Sequence, residues 1–142
     1  MKIKIKKLYE NSKLPFRKHS TDAGWDLYAH SLVINDQENQ YTYGTGIAVS
    51  IPEGYVGLIF PRSSVKNTDI RLSNAVGVID PGYHGEIMAV FDRTPFGWKH
   101  YAIGERCCQL IIIKTENVEW EEVEDLGSSK RGEGGYGSTG MK

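Results

Sequence analysis

The chain has 142 residues, enough for one ordinary domain and too few for two with separate cores. Its hydrophobic share of 39%, charged share of 25% and net charge of -1 fit a globular protein and argue against a general attraction to nucleic acid or anionic lipid, so any phosphate recognition must be local. There is no run of 18 apolar residues and no charged, apolar, small-residue leader at Met1, so no membrane association is expected and the expected compartment is cytoplasmic.

Lysine and isoleucine alternate over residues 2–6, the period-2 pattern of a half-buried strand. Asp22 and Asp26 then flank Ala23-Gly24-Trp25, where turn or capping roles compete with a functional one. Residues 47–51 and 55–60 are rich in β-branched and aromatic side chains around Pro52-Glu53-Gly54, which predicts a hairpin. Pro61-Arg62-Ser63-Ser64 follows, with room for a short helix after the serines. A guanidinium and two hydroxyls suit phosphate oxygens, and a simple Ser-Ser loop cap is the competing reading.

Further strands are expected at 76–79, 86–91, 108–113 and 118–123, separated by Pro81-Gly82, Pro95-Phe96-Gly97 and Gly104. Many short strands with Gly and Pro between them predict an all-β sandwich, barrel or jelly roll. Asp80 ends one of these strands before a Pro-Gly turn and Tyr83, where it either serves chemistry or satisfies turn N–H groups. Cys107 and Cys108, neighbours on a predicted strand, should point to opposite faces, which argues against a disulfide framework. The four histidines, His19, His30, His84 and His100, lack zinc-site spacing, so a metal here would take oxygen ligands. The acidic stretch 119–125 reads as a solvated strand face.

The chain divides into a β domain over 1–126 and a flexible, glycine-rich C-terminal arm over 127–142, whose end has too little apolar material to join a core. Gly132, Gly134 and Gly137 match GxGxxG, but no strand and helix flank them. A P-loop reading fails as well, because Ser138 stands where the lysine should be. What remains is a backbone that can approach an anion, with Arg131, Ser138 and Thr139 as donors and Tyr136 able to stack on a base.

Five segments, in order, carry a resemblance. They are Ala23-Gly-Trp-Asp-Leu-Tyr-Ala29; Pro61-Arg-Ser-Ser64; Asn74 and Gly77-Val-Ile-Asp-Pro-Gly-Tyr-His-Gly-Glu-Ile87; Gly104-Glu-Arg-Cys-Cys-Gln-Leu-Ile-Ile112; and Arg131 to Gly140. As an ordered set spanning nearly the whole chain they resemble the motifs of the trimeric dUTP diphosphatases. The resemblance implies a distorted jelly roll, a homotrimer with three active sites shared between subunits, and hydrolysis of dUTP to dUMP and pyrophosphate with magnesium.

Residue by residue, the resemblance implies that Asp80 activates the water that attacks the α-phosphorus. Asn74 and the backbone at Val78 and Ile79 would read the uracil edge, Met88 would line its pocket, and Tyr83 would pack under the deoxyribose and exclude a 2'-hydroxyl. Arg62, Ser63, Ser64 and, from another subunit, Gln109 would hold the phosphates, and Asp26 would contact magnesium (Mg2+) through metal-bound water. The arm of a third subunit would close the site, with Arg131, Gly137 and Ser138 on the phosphates and Tyr136 over the base. The chain departs from the pattern at Trp25 and Tyr136, where other aromatics are more usual, and over 65–73. Two other readings stand beside it: a dCTP deaminase of the same fold, and a nucleotide-sensing regulatory protein.

Overall fold

A computed structural model describes residues 1–95 and 97–133. Its strands are β1 (Lys4–Lys7), β2 (Trp25–Tyr28), β3 (Ser31–Asn35), β4 (Gln40–Gly44), β5 (Ile47–Ser50), β6 (Tyr55–Pro61), β7 (Ile70–Leu72), β8 (Gly77–Ile79), β9 (Met88–Arg93) and β10 (Arg106–Lys114). The expected short helix after Arg62 is a 3-10 turn over Ser63–Asn67, and no α-helix occurs among the described residues. Two four-stranded sheets, in the orders β2-β10-β6-β8 and β3-β4-β9-β7, are joined by a two-stranded ribbon of β1 and β5. All the strand pairs are antiparallel, which gives the all-β, jelly-roll-like architecture that the sequence predicts.

A single core forms where the two sheets face each other. Leu27, Ile59 and Leu110 come from one sheet, and Tyr43, Leu72 and Phe91 from the other. Tyr43 and Phe91 are fully buried, each contributing about 1.5–3 kcal/mol or more of apolar burial. Their rings meet edge to face with centroids 5.7 Å apart, and Tyr101 packs on both at 6.3 and 6.1 Å. Burial pushes the Tyr43 phenol far above its ordinary pKa, so it keeps its proton and donates it to the Tyr101 carbonyl at 2.9 Å.

Several expectations are corrected. The segments 47–51 and 55–60 do form β5 and β6, but not a hairpin: β5 pairs with β1, and β6 with β10 and β8. The Pro-Glu-Gly turn is a corner that carries the chain from the ribbon into a sheet. Residues 118–123 form no strand; they are exposed coil, with Trp120 at 94% exposure and no partner strand among the described residues. The strand expected at 86–91 starts two residues later. The unanticipated hairpin of β3 and β4 closes over 36–39, with Asn39 at φ 56°.

Cys107 and Cys108 do not point to opposite faces. The register of β10 against β2 shifts between Arg106 and Cys108, a bulge that turns both thiols into the core with their sulfurs 3.9 Å apart. Both are free thiols, and the Cys107 contact together with burial pushes the Cys108 thiol well above its ordinary range. The alternation of β1 is real, but all of its residues are exposed because the ribbon lies outside the main sheets; only the preceding Ile3 packs on the core.

Candidate active site

Four of the five sequence motifs meet on one sheet. Asp26 lies on β2, opposite Gln109 of β10, and Gln109 lies opposite Phe60 of β6. The chain leaves β6 at Pro61, so Arg62 projects at the same end of the sheet in extended backbone before the 3-10 turn. Strand β8, which leads into Asp80, is the other neighbour of β6.

At the Arg62 end the geometry is that of an anion pocket. Arg62 Nε donates to Asp26 Oδ1 at 2.7 Å, and Arg106 Nη1 donates to Asp26 Oδ2 at 2.9 Å. Arg62 Nη1 also donates to Ser64 Oγ at 3.0 Å and to the Arg106 carbonyl at 3.2 Å. Among the described residues Arg62 Nη2 has no hydrogen-bond partner, so one edge of a rigidly held guanidinium is left for a ligand. Ser64 Oγ lies 3.1 Å from the Tyr101 hydroxyl. Burial raises the pKa of that phenol, opposed by the Ser64 hydrogen bond and the nearby Arg62 charge.

Gln109 Nε2 donates to the Pro61 carbonyl of its own chain at 2.9 Å, which sets it beside the Arg62 loop of the same copy rather than, as expected, another's, and its Oε1 approaches Gly24 so closely that a Cβ there would displace it. A larger residue at 24 would therefore require the Gln109 side chain to shift. Arg17, Lys18, Arg62 and Arg106 line one pocket with Asp22, Asp26 and Gln109, four cations against two acids and so a local positive excess on a chain of net charge -1. Arg106 sits over the Phe16 ring at 5.3 Å, which holds its long stem in place.

A second set gathers around β8. The exposed Asp80 follows Ile79, and its side chain has no hydrogen bond or ion pair among the described residues. Its carbonyl accepts the Tyr83 N–H at 3.2 Å across the Pro-Gly turn. Tyr83 Oη donates to the Glu86 carbonyl at 3.0 Å, pinning a ring that is still 42% exposed, and a Cβ at Gly85 would strike that ring. Val78 on β8 and Met88, at the start of β9 in the other sheet, are both more than half exposed. Asn74 stands in a tight turn: the Val76 N–H bonds back to the Asn74 carbonyl around Ala75, whose φ is 55°. That is a γ-turn of the strained kind, forcing the loop away from the sheet.

These two sets do not come together within one chain. Ile79 pairs with Gly57, so Asp80 is level with Val56 near the start of β6, whereas Arg62 follows the far end of that strand, six residues and about 20 Å of extended backbone away. Ser63 is exposed at the start of the 3-10 turn. Arg131 lies in a turn closed by the Gly132 N–H on Ser129. Tyr136, Gly137 and Ser138 lie outside the described residues. Arg106 and Tyr101 were given no role from the sequence. Arg106 sits inside the fourth segment, yet only the β2 to β10 register reveals that it reaches Asp26, 80 residues away.

Among the described residues no three His, Cys, Asp or Glu side chains gather into a metal cage, and no helix is long and apolar enough to cross a membrane. Asp26 is compatible with an indirectly held ion: each oxygen has one charged donor and keeps lone-pair capacity for a metal-bound water.

The fold and these two sets define a jelly-roll-like β protein with a local anion pocket and a separate strand-end carboxylate. Its sequence matches the family model for dUTPase over residues 10–140, and the chain belongs to the dUTPase family. It is 41% identical over 140 residues to the deoxyuridine 5'-triphosphate nucleotidohydrolase of Corynebacterium glutamicum, covering 97% of this chain and 94% of that one. It is 40% identical to the enzyme of the same name from Anaplasma marginale, covering 99% of both. Among solved structures it superposes on the dUTPase of Staphylococcus bacteriophage 80alpha with dUPNHPP at a TM-score of 0.84, with 32% identity over 99% of both chains. It also superposes on a mutant dUTPase from phage phi11 of S. aureus, described as coordinating a structural Mg(II) ion, at a TM-score of 0.75, with 29% identity over 89% of this chain and 99% of that one.

Proposed function

We propose that this protein hydrolyses dUTP to dUMP and pyrophosphate by attack of water on the α-phosphorus, as a cytoplasmic homotrimer whose sites are each built from more than one copy. The observation that carries this reading is Asp80: a carboxylate fixed at the end of a sheet strand, unpartnered among the described residues, beside a pinned and half-exposed Tyr83. Such a group can accept the proton of an attacking water while the sheet holds its direction, help typically worth about 10²–10⁴ in rate.

Binding divides between the two sets. Asn74, the Val78 and Ile79 backbone and Met88 take the uracil, and the Tyr83 ring forms a floor under the sugar with no slack for a 2'-hydroxyl. Arg62 through Nη2, with Ser63, Ser64 and Gln109, takes the phosphates. In the proposed division into a 1–126 domain and a 127–142 arm, Arg131 adds a guanidinium to the phosphates, and Tyr136, Gly137 and Ser138 cover the base and phosphate chain. Mg2+, held by the triphosphate and by Asp26 through water, would neutralise charge on the phosphate oxygens. The roughly 20 Å between Asp80 and Arg62 supports sharing, since a triphosphate reaching both must meet them on different copies.

The test is incubation of the pure protein with each deoxynucleoside triphosphate, with UTP and with magnesium, measuring pyrophosphate. Release from dUTP alone, with UTP far slower, is expected. Ammonia from dCTP would replace this reading by a deaminase.

A further inference from the structure

Resting on the phosphate-binding role of the Arg62 loop, we propose that Tyr101 is a positioning residue: its hydroxyl locks the Ser64 hydroxyl as a one-way donor toward a substrate phosphate oxygen. Tyr101 lies outside all five sequence motifs.

A serine hydroxyl has one proton to donate and two lone pairs with which to accept. Arg62 Nη1 stands 3.0 Å from Ser64 Oγ and can only donate, so one lone pair is taken. The Tyr101 hydroxyl, at 3.1 Å, can in principle face Ser64 either way. Its own needs decide the direction. Tyr101 is buried, burial keeps its phenol protonated, and among the described residues Ser64 Oγ is the only partner of its oxygen. Were Ser64 the donor, the phenol proton would be buried without an acceptor, at the full desolvation penalty. Tyr101 therefore donates.

Both Ser64 lone pairs are then filled, and only its proton is left for a third group. Ser64 is half-buried and bonded to Arg62, so a ligand at the unpartnered edge of Arg62 can reach that remaining proton. An acceptor-only ligand such as a phosphate oxygen satisfies it; a donor does not. The lock is stiff because Tyr101 is held three ways: by its contacts with Tyr43 and Phe91, and by the Tyr43 hydroxyl on its carbonyl. The hydroxyl is thus oriented before substrate arrives.

The experiment compares the full chain with Tyr101→Phe, Ser64→Ala and the double variant, reading kcat and KM for dUTP, affinity for inorganic tripolyphosphate and thermal melting. Tyr101→Phe keeps the ring and its core contacts, so melting should change little. Tripolyphosphate affinity and kcat/KM should each fall about three- to tenfold, with deoxyuridine affinity unchanged. In the Ser64→Ala background the tyrosine change should add nothing, because the group it orients is gone. A double variant as weak as the product of the two single effects would overturn the proposal, as would a Tyr101→Phe protein that binds tripolyphosphate like wild type. If wild-type protein releases no pyrophosphate from dUTP, the proposed function fails, and the tripolyphosphate comparison still decides the role of Tyr101.

Discussion

Asp26 shows how an acid can stand in a pocket proposed to take phosphates without repelling them. Its charge is shared by two guanidiniums at 2.7 and 2.9 Å, and the surplus positive charge is what a ligand meets. Arg106→Gln should therefore cost only about 1 kcal/mol of stability, since the pair is partly solvent-exposed. It should raise KM for dUTP by roughly tenfold as Asp26 draws more of Arg62 to itself; calorimetry and steady-state kinetics read the two effects separately. Asp80→Asn is expected to bind a non-hydrolysable dUTP analogue normally and to lose about 10²–10⁴ of turnover. Near-normal turnover would remove Asp80 from the mechanism. Asp80 stood out in the sequence as an acid between an apolar run and Pro-Gly, where a turn role competes, and its assignment came from the ordered family motifs. Arg106 and Tyr101 did not, since their partners lie 80 and 37 residues away: strand register brings Arg106 to Asp26, and packing of the segment between β9 and β10 against the 3-10 turn brings Tyr101 to Ser64.

At the level of elements, the sequence showed six of the strands (β1, β5, β6, β8, β9 and β10) but neither β2, β3, β4 and β7 nor which strands pair. Residues 47–60 had hairpin spacing, yet β6 pairs along its whole length with β10, whose nine residues offer a longer ladder than β5. The segment 118–123 had the residue types of a strand but no neighbour to complete its hydrogen bonds. The bulge at Cys107 was invisible for a related reason: it depends on the partner strand, not on the cysteines.

The sheet of β3, β4, β9 and β7 holds a testable acid response. Asp92 on β9 accepts from Ser73 Oγ at 2.7 Å and from Gln40 Nε2 at 2.9 Å, and these bonds hold its carboxyl below the usual range. A depressed carboxylate stabilises the fold above its unfolded pKa, and that support is lost as pH falls through the folded value. Ser73→Ala should thus melt slightly earlier than wild type at neutral pH, and the gap should close in acid once Asp92 is protonated in both. A gap independent of pH would assign the loss to packing instead.

For the whole molecule, the described residues beyond β10 bury little: Val118, Trp120 and Leu126 are 60%, 94% and 96% exposed. The core is complete without them, so truncation before Gly127 should leave the melting temperature nearly unchanged. Turnover of dUTP should fall roughly a hundredfold if the arm closes the site. Equal efficiency of the full-length and truncated proteins would mean that the arm has no part in catalysis.

The distance along β6 between Asp80 and Arg62 also has a consequence for mixtures of defective proteins. A copy carrying Asp80→Asn still offers an intact phosphate loop, and a copy carrying Arg62→Ala still offers an intact base and sugar floor. Each homotrimer alone should be dead. Refolded together in equal amounts, they should recover about a quarter of wild-type turnover, because one site in four, by chance, draws each half from the copy that retains it. Two inactive genes expressed in one cell would then yield a working enzyme, and a mixture that stays inactive would place both halves of every site on a single chain.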